Sequence, residues 1–183
     1  MSLHKEVHFE AEICAHLQAN GWLHAQGDDA HYDRARALFP PDLLAWVQET
    51  QPDAWAALVK NHGAKAADTL LARLRDELDK RGTLDVLRHG IDLLGLKAKL
   101  KTAEFKPALA LNPEIVARYW ANRLRAVRQL HYSLHNENSI DLVLFLNGLP
   151  VATVELKSDF TQSVNDAIDQ YRFDRLPRTK GNA

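Results

Sequence analysis

Apolar residues recur at helical spacing through the first half of the chain and at strand spacing through much of the second. Phe9, Ile13 and Leu17 fall four apart within residues 6–20, which predicts an amphipathic helix stopped by Gly21. The polar, glycine-broken stretch from Gly21 to Pro40 is expected to run over the surface before a short helix. Pro40-Pro41 then opens a helix with Asp42 as its expected cap and Leu43, Leu44, Trp46 and Val47 facing inward. Gln51-Pro52-Asp53 marks the next stop and start, leading to Trp55, Leu58 and Val59 and a stop at Gly63. From Ala64 to Arg81 the positions Leu70, Leu71, Leu74 and Leu78 predict an amphipathic helix, ended by Gly82. Leu84, Leu87 and Ile91 predict a short helical or irregular piece, and the loose alternation from Leu100 to Phe105 predicts a strand. Asn112-Pro113 predicts a helix start, and residues 123–133 alternate as a strand. Two apolar runs flank Asn147-Gly148 between Asn138 and Lys157, the pattern of a β-hairpin. A last helix is expected over residues 161–175, with Val164, Ile168 and Tyr171 on one stripe.

The hairpin carries charges that a buried strand does not tolerate without compensation: Asp141 on its first arm, Glu155 and Lys157 on its second. Strand periodicity puts Glu155 and Lys157 on one face. With a regular two-residue loop, Leu146 would pair with Leu149 and Asp141 would lie opposite Val154, so the carboxylates would diverge. A third loop residue, or a bulge near Pro150, is therefore expected to bring Asp141 opposite Glu155. Two carboxylates and a lysine meeting there suit Mg²⁺, held through oxygen ligands, with the lysine acting on water: a phosphodiester hydrolysis site in outline.

Composition narrows the setting. The 183 residues suffice for one domain with a real core, and 46% apolar with 26% charged residues is ordinary for a soluble globular protein. One cysteine, Cys14, excludes an internal disulfide, and without a signal peptide or long apolar span a cytoplasmic location is expected. A net charge of −1 gives no global attraction to nucleic acid, so DNA affinity must come from local patches or from partners. Arg118, Arg123, Arg125 and Arg128 are candidate phosphate contacts, with salt bridges to nearby acids as the alternative. Lys97, Lys99, Lys101 and Lys106 could meet phosphates or guard an edge strand. His24 and His31 flank Asp28, Asp29 and Asp33 without metal-box spacing, and read as solvent-facing loop residues. His131 and His135 read as general-base candidates or structural histidines.

An Asp followed fourteen positions later by Glu-x-Lys resembles the PD-(D/E)xK nuclease superfamily, with Ile140 where the usual Pro stands. The wording NENSIDLVLFLNGLPVATVELK and TQSVNDAIDQYRFDR, with GTLDVLRHG, FKPALALNPE and YWANRLRAVRQLHYS upstream, is similar to the N-terminal endonuclease domain of the R (restriction and translocation) subunit of type I restriction enzymes. The resemblance covers nearly the whole chain and is densest from Gly82 to Arg175. It implies an α+β fold: a mixed sheet flanked by helices over about 97–176, preceded by a helical portion over about 1–96. It implies a Mg²⁺-dependent (Mn²⁺ as substitute) endonuclease acting on double-stranded DNA, with Asp141 and Glu155 on the metal and Lys157 on the attacking water. It also implies support from Gln170, from an acid of the first helix for which Glu10 is the matching position, and from Arg172 and Arg175. Some relatives have Gln-x-x-x-Tyr here, whereas this chain has Tyr171 directly after Gln170 and Asp174 four places on. No Gly-x-x-x-x-Gly-Lys-Ser/Thr stretch occurs, so ATP use, and contact with modification and specificity subunits, is expected to belong to a longer motor subunit of which this is the N-terminal part. The alternatives are a non-catalytic DNA-binding or subunit-coupling module of the same fold, and a stand-alone repair or junction nuclease.

Overall fold

A computed structural model describes residues 2–156, 164–169 and 172–173. Helix α1 spans Ser2–Ala19. Its inner line is Glu10, Ile13, Cys14 and Leu17, with Glu10 and Cys14 buried. Phe9, expected inside, is 54% exposed, because 3.6 residues per turn carry the buried line through position 10. Burial pushes the Cys14 thiol up, which makes it a packing group rather than a reactive thiol.

Four helices form a lobe: α2 (Pro40–Thr50), α3 (Pro52–His62), α4 (Ala66–Arg81) and α5 (Thr83–His89). Their core holds Leu43, Trp46, Val47, Leu58, Leu70, Leu74, Leu87 and Ile91, which the periodicity selects, and Val86, which it does not; Leu84, expected beside Leu87, is 58% exposed. Asp42 does not cap α2, since Phe39 occupies the cap position and Asp42 is the third residue of the helix, buried in its first turn. The expected strand over Leu100–Phe105 is absent. Leu100 makes one antiparallel bridge with Ile91, and the Gln51 side-chain amide takes both backbone groups of Lys101 (2.9 and 3.1 Å), leaving none for a ladder. Lys99 and Lys101 pair with Asp92 and Glu104, so this basic run is not an edge strand. Helix α6 (Pro113–Trp120) starts as expected, the Asn112 Oδ1 accepting the amides of Glu114 and Ile115 at 2.9 and 3.2 Å.

The chain then enters an antiparallel sheet of β1 (Leu124–His131), β2 (Ser139–Leu146) and β3 (Leu149–Val154), in that spatial order. Among the described residues the parallel component of the expected mixed sheet is one bridge, where Leu23 exchanges backbone hydrogen bonds of 2.7 and 2.9 Å with Leu124 and Ala126. Helix α1 covers one face through Cys14, Ile13 and Leu17 against Ala126 and Leu142. Phe39 and Tyr32 cover the other, against Val127, Leu130, Val143 and Phe145. The 21–39 segment is thus no simple surface loop, because Leu38, Phe39 and Asp28 are buried. Helix α7 (Val164–Asp169) follows the hairpin. The architecture is α+β, and no helix among the described residues is long and apolar enough to cross a membrane.

Tyr32 provides a test of this packing. Burial pushes its hydroxyl up to about 12 from 10.0, with Arg75 opposing and Asp33 adding to the rise. An acid whose folded value is raised holds its proton longer in the folded state. Its contribution is intact below pH 10, where the unfolded chain begins to ionise, and is lost as the pH climbs toward about 12. At about 1.4 kcal/mol per unit the loss is on the order of 2–3 kcal/mol. Urea unfolding of the parent and of Tyr32→Phe at pH 9 and pH 11.5 should show a markedly shallower decline in the variant; equal declines would mean that the hydroxyl is solvated.

Candidate active site on the hairpin

The loop of the hairpin is a strict two-residue turn: Leu146 pairs with Leu149, and Asn147 and Gly148 take φ of 48° and 78°. The expected third loop residue is not there. The bulge is: Phe145 pairs with Pro150 but Leu144 with Ala152, so Val151 is one residue more than β2 can match. From there the pairing runs through Val143 with Thr153 to Leu142 with Val154, where the ladder ends one residue short of Asp141 and Glu155. Val151 is 44% exposed, so the extra residue is accommodated toward solvent. Just past the end of β3, the Asp141 Oδ2 accepts the Leu156 backbone N–H at 2.7 Å, which holds this carboxylate beside Glu155 and Leu156. Both Asp141 and Glu155 are half-buried.

Strand β1 contributes a feature with no counterpart in the expectations. Gln129 has φ 45°, a left-handed conformation in the middle of a strand, costing roughly 1–3 kcal/mol. Its effect is visible in the packing. Val127 and Leu130 are three apart yet join the same cluster, an interval that strict alternation forbids, and Ile140 and Val143 opposite them do likewise. At this slip the side chains of adjacent residues Arg128 and Gln129 reach one carboxylate, that of Glu10, which is 3% exposed. Arg128 binds its Oε2 through Nε at 2.9 Å and through Nη2, while Gln129 Nε2 donates to Oε1 at 2.8 Å. The same Nε2 donates to Asp141 Oδ1 at 3.3 Å, and Ser139 Oγ donates to Gln129 Oε1 at 3.0 Å. Hence Glu10, Gln129 and Asp141 form one network across α1, β1 and β2. Among the described acids on the first helix, Glu10 is in this network, whereas Glu12 is exposed. The sequence signal for Gln129 was the break in alternation between Val127 and Leu130.

The arginines set out as DNA contacts are paired with acids. Arg123 Nε meets Asp42 at 3.2 Å. Arg125 lies over the Phe39 ring, 4.5 Å from its centroid, with Nε and Nη2 on Asp42 (2.6 and 3.0 Å) and Nη1 on Asp28 (2.7 Å). Burial alone would lower its pKa; the hydrogen bonds and charges of Asp42 and Asp28 outweigh that and hold it above its ordinary value. With its side chain only 14% exposed, Arg125 takes the salt-bridge alternative of the two readings the sequence left open. Arg123 and Arg128 keep about a third of their surface, at 34% and 30%. Asp28 and His24 are likewise structural, the latter bonded through Nδ1 to the Ala126 carbonyl at 3.0 Å. His131 bonds through Nδ1 to the Glu137 carbonyl. Arg172 is exposed. Lys157, Gln170 and Arg175 lie outside the described residues.

Among the described residues no group of three or more His, Cys, Asp and Glu side chains stands close enough to enclose a metal. Asp141 and Glu155 are carboxylates, the oxygen donors that a hard divalent ion takes with water completing its shell. Each Asp141 oxygen is engaged on one side and retains a second lone pair, so the donor set fits such an ion. A family model described as Type I restriction enzyme R protein N terminus matches residues 9–182. No curated protein and no solved structure matches the chain.

Proposed function

The chain belongs to the family of type I restriction enzyme R protein N termini, and from that premise we propose that it is the DNA-cleaving part of such a subunit, a Mg²⁺-dependent endonuclease on double-stranded DNA. The observation that carries this reading is the Val151 bulge, which moves Val154 from a place opposite Asp141 to one opposite Leu142 and so favours a meeting of Asp141 with Glu155. Asp141 and Glu155 would hold the ion, which when bound polarises a phosphate and eases loss of a proton from water. The chain's own part is to aim these groups. The Leu156 amide fixes one Asp141 oxygen, Gln129 the other, and Arg128 neutralises the buried Glu10 behind them. Lys157, two residues beyond Glu155, is proposed to orient the attacking water, and Gln170 to support it. The remaining parts of this reading are a single nuclease domain, a cytoplasmic setting, modification and specificity subunits as partners, and ATP-driven motor domains elsewhere in the subunit.

Calorimetric titration of Mn²⁺ into the parent, Asp141→Ala and Glu155→Ala tests it. Heat of binding in the parent that disappears in both variants is expected; binding that survives in both would detach the metal from this pair and sink the reading.

A further inference from the structure

Two adjacent side chains on an extended strand point to opposite faces, so Arg128 and Gln129 should not reach one carboxylate. They do so because Gln129 alone takes the left-handed φ of 45°, a conformation that β-region residues avoid. The kink is therefore tied to what the Gln129 amide does. Its NH₂ group faces two acceptors, Glu10 Oε1 at 2.8 Å and Asp141 Oδ1 at 3.3 Å, and its oxygen faces the Ser139 hydroxyl at 3.0 Å. That distribution fixes the amide orientation, since turning it over would set its oxygen against two carboxylates. The two ends of the contact differ in kind. Glu10 is buried and locked by Arg128, so it is a rigid anchor; Asp141 is half-buried at the sheet end, with the Leu156 amide as its other hold.

Resting on the proposed metal site, we infer that Gln129 is a positioning residue: it carries the fixed position of Glu10 on α1 to Asp141 on β2, and so presets the carboxylate that meets the ion. The residue touches neither substrate nor ion. It restricts Asp141 to one rotamer facing Glu155, and groups that orient metal ligands commonly govern affinity by 10–100-fold.

Gln129→Gly separates this role from a structural one, because glycine accepts the positive φ at no steric cost while deleting the amide. The full chain should then stay folded, relief of the positive φ offsetting part of the lost hydrogen bonds, bind Mn²⁺ roughly 10–100-fold more weakly than the parent, and exchange its Leu156 amide hydrogen faster, as Asp141 loosens. Unchanged Mn²⁺ affinity together with unchanged Leu156 exchange would overturn the inference and leave the Asp141–Glu155 site standing. If the parent shows no Mn²⁺ binding that Asp141→Ala removes, the metal reading fails, and the Leu156 amide alone decides: faster exchange in Gln129→Gly upholds the link from Glu10 to Asp141, and equal exchange refutes it.

Discussion

Asp141→Asn is expected to abolish DNA cleavage while leaving the protein folded. The replacement keeps the shape, and its amide oxygen can still accept the Leu156 N–H that the carboxylate accepts at 2.7 Å. What it loses is the charge that, with Glu155, would hold a divalent ion. Its NH₂ group also meets the NH₂ of Gln129, which costs one hydrogen bond, about 1 kcal/mol. A metal ion contributes several kcal/mol of charge stabilisation in phosphoryl transfer, so its loss slows the reaction by roughly three orders of magnitude. Glu155→Gln should do the same. On the proposed function, the measurement is cleavage of duplex DNA by the complete R subunit assembled with modification and specificity subunits, beside thermal unfolding of the variant. Cleavage within about threefold of the parent would remove Asp141 from the mechanism; a collapse of stability would make the residue a fold determinant instead.

How far the sequence reached depended on the range of the interaction. The helices and the hairpin follow from spacing and turn chemistry within a few residues, and the loop's handling of Asp141 and Glu155 was constrained because a charged pair on one face admits few registers. The bulge lies at Val151, adjacent to the Pro150 that pointed to it, since proline cannot continue a ladder from its own nitrogen. Asp42 was out of reach: its place at the start of α2 reads as a cap, and nothing local says that Arg123 and Arg125, 81 and 83 residues later, need its charge inside the fold. The strand over Leu100–Phe105 failed for the opposite reason. Its alternation is real, but Gln51, fifty residues upstream, claims the Lys101 backbone groups first. Gln129 combines both cases. The odd interval from Val127 to Leu130 was printed in the sequence, yet a glutamine between them acquires meaning only beside Glu10, 119 residues away.

Gly148→Ala is expected to be strongly destabilising. The hairpin turn is not a solvent-exposed loop, for Asn147, Gly148 and Leu149 are all buried. Its Gly148 carbonyl accepts the Phe39 N–H at 2.9 Å, and Asn147 accepts the Arg123 amide at its Oδ1 (2.7 Å) and donates to Thr102 and Asn122. The turn thus joins the sheet to the start of α2 and to the segment before α6. A Cβ on Gly148 would stand 2.3 Å from the Phe39 carbonyl oxygen and about 3.1 Å from the Leu43 nitrogen, both backbone atoms that cannot step aside alone. The φ of 78° adds a left-handed penalty of roughly 1–2 kcal/mol to an overpacking cost of about 1–3 kcal/mol or more. Together they come to about 2–5 kcal/mol, a large share of the roughly 5–15 kcal/mol that holds a domain folded. Because Leu146, Leu149 and the Val151 bulge are counted from this turn, a variant that folds should also lose the Asp141–Glu155 register, binding Mn²⁺ weakly although the altered residue touches neither carboxylate. Urea denaturation provides the check. A loss below about 1 kcal/mol would mean that α2 yields to the methyl and that the turn does not set the register of the site.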